Sequence, residues 1–224
     1  MAFALTLSSL CSDEDLAVWD PGDFANLAPR SQIVAAGTDG VFAALTPWVL
    51  SSASSAFATA GVAAGSIVAL TKPQASFQQG NNLFGVDAAT ASTVTLRRIG
   101  MSAGFGAPPG AGGLTGVEFR VLTFAPQIAL SSADVRRQYR LGVTPDRDLA
   151  ALAESGEELR QLATLITLRR AYLVAAKGPD GDYKAKLALV SEALSRVEAK
   201  LSLTWGASGD AAPPTNLFSM RERR

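Results

Sequence analysis

The chain has 224 residues, with 20 acidic and 20 basic side chains, a single cysteine and no histidine. The missing histidine excludes Ser-His-Asp and Cys-His catalysis and every His-ligated metal site, and Cys11 alone can build neither an internal disulfide nor a thiolate metal site. At this length a chain buries about 70% of its unfolded surface and needs no staple to fold.

Charge is unevenly spread. Residues 12–29 hold Asp13, Glu14, Asp15, Asp20 and Asp23 and no base. Residues 31–135 balance, and residues 136–224 carry 15 bases against 11 acids, a surplus of four. A chain with an acidic head, a nearly neutral middle and a mildly basic end presents separate surfaces. The start, "MAFALTLSSLCSDEDL", lacks the basic opening of a signal peptide, so export by that route is not expected. A lone cysteine fits a reducing compartment. No Gly-Lys-Ser/Thr phosphate loop occurs.

In chain order, residues 12–29 predict two short helices. Ser12 caps the first, with Asp13, Glu14 and Asp15 in the first turn, where the helix dipole favours acids. Asp20-Pro21 opens the second as cap and first helical residue, and Pro29 marks its end. Leu16, Val18, Trp19, Phe24 and Leu27 are available for burial.

Residues 31–130 are predicted to be β-rich. Thr38-Asp39-Gly40 reads as a turn between apolar runs. From Gly40 to Thr71 there is no charge, yet Pro47, Gly61, Gly65 and several Ser and Thr residues argue against a membrane helix. Gly61 and Gly65 suit turns of positive φ, and Ile67-Val68 begins a strand. "LFGVDA" (83–88), "STVTLRRIG" (92–100) and "VEFRVLTF" (117–124) are further strands, the last two alternating with period two. Residues 101–116, rich in Gly and Pro, read as a long loop.

Residues 131–205 are predicted to be helical. "SSADVRRQYRLG" is a short Ser-capped helix closed by Gly142. A capping box at Ser155–Glu158 starts a helix to about Lys177 whose apolar arc is broad. "GPDGD" (178–182) turns into a second helix with Leu187, Val190, Leu194, Val197 and Leu201 on one seam, an αα-hairpin. In the end segment "GASGDAAPPTNLFSMRERR", Leu217, Phe218, Met220, Arg221, Arg223 and Arg224 are the candidate partner-docking residues.

The expected fold class is therefore α+β: a helical bundle, made of the N-terminal short helices and the C-terminal αα-hairpin, carrying an inserted antiparallel β-sheet or small barrel. The expected domains are 1–30 with 131–205 (helical), 31–130 (β-rich insertion) and 206–224 (docking tail). An enzyme would have to rely on carboxylates such as Asp13, Asp15, Asp20 and Asp23, which a capped helix accounts for already. The Arg pairs in "TLRRIG" and "TLRRAY" raise nucleic-acid binding, but no basic stripe with interleaved aromatics accompanies them.

The succession of an acidic helical start, "DEDLAVWDPGDFANLAPRSQI", a β region, "GTDGVFA … GVAAGSIVAL … STVTLRRIG … GLTGVEFRVLTFAPQI", and a helical hairpin, "ELRQLATLITLRRAYLVAA", resembles the neck proteins of tailed bacteriophages: head–tail adaptor or head-completion connectors. The resemblance implies a non-enzymatic virion protein without cofactor or metal, made in the host cytoplasm. It implies self-association in a ring, commonly a dodecamer, beneath the portal protein. It further implies contact with the next neck or tail protein, proximity to double-stranded DNA in the channel, and no membrane. The simplest adaptors are mainly helical, so the β region leaves stopper and tail-terminator rings as alternatives. The tail is then expected to dock on the portal.

Overall fold

Short runs of β-branched and aromatic residues, spaced by Gly-containing turns, pair with one another until no edge is left open. The computed structural model describes residues 9–43, 48–72, 82–100, 113–142, 156–177, 181–201 and 203. Strands β1 (Ile33–Phe42), β2 (Val49–Ser51), β3 (Ile67–Lys72), β4 (Leu83–Ala89), β5 (Thr93–Arg98) and β6 (Leu114–Leu122) form a closed barrel in the order β1-β2-β5-β4-β3-β6. All pairings are antiparallel. Closure depends on β1 and β6, which pair from Ile33 opposite Leu122 to Phe42 opposite Leu114. Closing the sheet leaves no unpaired strand edge.

Period-two alternation sorts the side chains. Val94 and Leu96 of β5, and Val117, Phe119 and Val121 of β6, point inward with Phe42, Leu50, Val68, Leu70, Phe84 and Val86. Trp48 stacks on Phe42 at 4.7 Å between ring centres and meets Phe84 edge-on at 4.6 Å. Phe57 meets Phe119 at 5.5 Å. Aromatic rings thus pack together in the barrel's core, as expected where a narrow barrel is filled by its own side chains.

The helices are α1 (Asp13–Trp19), α2 (Phe24–Leu27), α3 (Ala125–Tyr139), α4 (Gly156–Ala175) and α5 (Gly181–Lys200). The chain divides into two compact units, Asp13–Ala125 and Ala2–Ser12 with Pro126–Arg224. In the first, α1 lies against β3, burying Leu16 and Ala17, and Phe24 packs on Phe124 at 5.1 Å. In the second, α4 and α5 pack together. Leu159, Leu162, Leu165, Leu168 and Tyr172 of α4 are buried, as are Val190 and Leu194 of α5, while Leu187, Val197 and Leu201 are half-buried. The backbone N–H of Leu10 donates to Ser132 Oγ at 2.9 Å, tying the segment before α1 to α3.

The expected fold class is corrected. A closed six-stranded antiparallel barrel organises the structure, and strands dominate its main core, so this is not a helical bundle with an inserted sheet. The N-terminal helices expected in that bundle belong to the barrel unit. The physical reason is closure. An open sheet would need a helical layer to cover it, whereas a closed one packs on itself.

Local corrections follow the same logic. Thr38-Asp39-Gly40 is no turn; it lies inside β1, where the pairing with β6 shifts register between Gly37 and Gly40. The second helix starts at Phe24, because Asp20–Asp23 forms a turn in which Asp23 N–H donates to Asp20 Oδ1 at 3.3 Å. The helix expected at Ser131 starts at Ala125, with Pro126 in its first turn, where a missing N–H is harmless. The turn glycines fare as expected: Gly61 has φ +84° and Gly65 φ +91°. Of the 101–116 loop, 101–112 lie outside the described residues, and Leu114 already begins β6.

Candidate functional site

The densest polar contacts of the barrel unit lie on its outside, at α1 and at the β1 irregularity. Glu14, in the first turn of α1, takes both terminal nitrogens of Arg97 on β5 in a two-pronged pair. Arg97 Nε reaches Asp87 of β4 at 2.7 Å. The N–H of Gly100 completes the group by donating to Glu14 Oε1 at 2.8 Å. Arg97 retains 12% side-chain exposure, and Glu14 and Asp87 about a fifth. The hydrogen bonds that Arg97 donates to Glu14, before any other influence, push its pKa up. Gly85 makes room for the guanidinium, since a Cβ there would sit 3.2 Å from Arg97 Cζ. The group works as a buckle from α1 to the β4–β5 hairpin.

Arg97→Ala should cost about 2 kcal/mol, because it removes the cation from two half-buried carboxylates, Glu14 and Asp87. Arg97→Lys should recover only part of this, as an ammonium cannot make the planar fork. Urea unfolding of the three proteins checks it.

Asp39 makes a second knot. Its carboxylate accepts from Ser52 Oγ at 2.8 Å and from Ala53 N–H, Ser54 N–H and Ser54 Oγ, each at 2.9 Å. These donors, led by the Ser54 N–H, hold its pKa down to about 2. The irregular register of β1 turns Asp39 toward the segment after β2 and fixes that segment in place. Both residues escape sequence reasoning as structural anchors. The available signals are Asp39 beside a glycine and the Ser52–Ser55 run.

Two of the four carboxylates considered for catalysis accept backbone N–H groups. Asp13 is buried and accepts the Phe124 N–H at 2.6 Å. Asp20 takes the Asp23 N–H. Asp15, Asp20 and Asp23 are half-buried. Among the described residues no group of three or more Cys, Asp or Glu side chains could hold a metal ion. The two Arg pairs also serve structure in part: Arg97 as above, and Arg170 by pairing with Asp134 of α3.

The predicted docking residues Leu217, Phe218, Met220, Arg221, Arg223 and Arg224 lie outside the described residues. What the described surface does offer is apolar. Val18 is 55% exposed and Trp19 42% at the end of α1. Leu130 on α3, Leu173 and Val174 on α4 and Leu189 on α5 are likewise exposed. Among the described residues no helix is long and apolar enough to cross a membrane. No family model, no curated protein and no solved structure matches the chain.

Proposed function

We propose that this is a structural subunit of a tailed-phage neck, a ring protein that joins head to tail and extends the DNA channel. The observation that carries the reading is the filled barrel. Its buried core holds the packed rings of Phe42, Trp48, Phe57, Phe84 and Phe119. A ligand-binding barrel keeps a concave, partly polar interior. A barrel plugged by its own aromatics is a rigid body for presenting surfaces.

Two further features support an assembly role. The polar clusters on the barrel unit brace its own elements, the Arg97 buckle and the Asp39 knot among them. Large apolar side chains stand exposed on α1, α3, α4 and α5, the kind of surface that neighbouring subunits cover. The barrel-dominated core also favours, within the neck, a stopper or tail-terminator ring over the mainly helical adaptors. Self-copies, the portal protein and the next neck or tail protein are the proposed partners, with the Leu217–Arg224 segment as a docking element and the virion neck as the location.

Interrupting the gene in the phage that carries it, with negative-stain imaging of the particles, tests the proposal. DNA-filled heads without tails, or heads that leak DNA, are expected. Normal tailed particles would refute it. Removing only 215–224 should reproduce the defect while leaving thermal unfolding of the protein unchanged.

A further inference from the structure

The chain enters the barrel unit at Asp13 and leaves it at Ala125. These two points are 112 positions apart in sequence, yet one side chain joins them. Asp13 Oδ1 accepts the N–H of Phe124, the residue just before the exit, at 2.6 Å. The Thr123 side chain supplies a second hydrogen bond to the same carboxyl. Phe24 packs its ring on Phe124 at 5.1 Å and shields the spot. Asp13 is only 8% exposed.

Among the described residues no cation balances this carboxyl, and Lys72 of β3, the strand α1 packs on, is paired with Glu118. Burial acts on it most strongly, and the Phe124 amide and the Thr123 side chain oppose that effect. On α1 itself, neighbouring Glu14 is turned to Arg97, and Asp15 adds like charge. From β5, Arg97 is taken by Glu14 and Asp87. From α2 comes the apolar Phe24, and the stretch after β6 offers Thr123 and Phe124, neither of which titrates in this range. A buried carboxyl without a counter-charge is easy to hold when neutral and costly when ionised.

We propose that Asp13 is a proton-dependent clasp on the two chain connections of the barrel unit, shut while its carboxyl is protonated and prone to open once it ionises. Opening lets water reach the carboxylate and removes the burial cost, so ionisation favours the open form. The inference stands apart from the neck reading. It concerns the ease with which this end of the barrel unit loosens, whatever partner uses that freedom.

The direction follows from linkage. Burial raises the Asp13 pKa from 3.8 to about 6. A group whose pKa is raised in the closed form binds its proton more tightly there. Closure is therefore favoured at low pH and weakens as pH rises from about 4 to about 6, with no further change above. The opening constant should grow on the order of a hundredfold across that window, about tenfold per pH unit.

Hydrogen exchange at the Phe124 amide of the full chain, corrected for intrinsic exchange, is the test. Wild type should show that rise between pH 4 and pH 7. Asp13→Asn keeps the accepting oxygen but cannot ionise, so its opening constant should be low and flat with pH. Asp13→Ala removes the acceptor and should open readily at every pH. Should the alanine variant fail to fold, the asparagine variant still decides. A flat wild-type profile, or one that Asp13→Asn reproduces, would overturn the proposal.

Discussion

Phe119→Ala should destabilise the protein by about 3–5 kcal/mol, as for large aromatics removed from a packed core. Phe119 is 1% exposed and sits where β6 meets both closing partners, opposite Gly37 of β1 and Leu70 of β3. Its ring touches Phe57 on one side and fills the space over Gly37 on another. A Cβ at Gly37 would come within 2.8 Å of both the Phe119 ring and Asp39 Oδ1, so the glycine makes room for the ring and for the Asp39 carboxylate. Gly37→Ala should therefore cost more in wild type than in the Phe119→Ala background, where the ring contact is gone and only the Asp39 contact remains. The coupling should be about 1–3 kcal/mol in a double-mutant cycle read by chemical unfolding. Additive costs would mean that the two positions do not share that space.

Gly40→Val should cost about 3 kcal/mol or more, the upper range of overpacking. The clash is with backbone: a Cβ at Gly40 would lie 2.7 Å from the Val117 carbonyl oxygen and 2.9 Å from Leu50 Cδ1. The Leu50 side chain can swing aside, but the Val117 carbonyl cannot yield without parting β1 from β6, the pairing that closes the barrel. Gly65→Val provides the contrast. Nothing lies within 4 Å of a Cβ there, but φ is +91°. Its cost should be conformational, about 1–2 kcal/mol. Thermal unfolding should rank Gly40→Val clearly below Gly65→Val, and the reverse order would place the closing contact elsewhere.

These two glycines also mark how far the sequence could be read. Gly65 was legible, because a turn glycine before Ile67-Val68 is a local signal. Gly40 was misread as a turn, because its role is to let Val117 approach from 77 positions away, which no local pattern encodes. β3, β4 and β5 were legible from alternation and β-branching, and α4 and α5 from the capping box and the apolar seam. β2 was not, since Val49–Ser51 is three residues long and too short to show a period. The overall class was misjudged for a related reason. Helical seams advertise themselves every three or four residues, whereas barrel closure rests on β1 meeting β6 across the whole unit.

The polar sites show the same division. Acids in the first turn of α1 were expected from helix electrostatics alone. Their individual fates, Glu14 in a buckle and Asp13 in a buried bond to Phe124, depend on β5 and on the end of β6 and are invisible in "SDEDLAVW". Asp39 read as a turn residue, and it does fasten a bend, but that of Ser52–Ser54 rather than its own.

The central claim is that the chain works by assembling. Native mass spectrometry of the 224-residue chain, mixed with the portal and neck proteins that the proposal names as its partners, tests it most directly. The account expects a discrete complex whose added mass is a whole-number multiple of 23.2 kDa, set by ring symmetry. A chain that stays monomeric in that mixture, with the portal and neck proteins unchanged in mass, would contradict it.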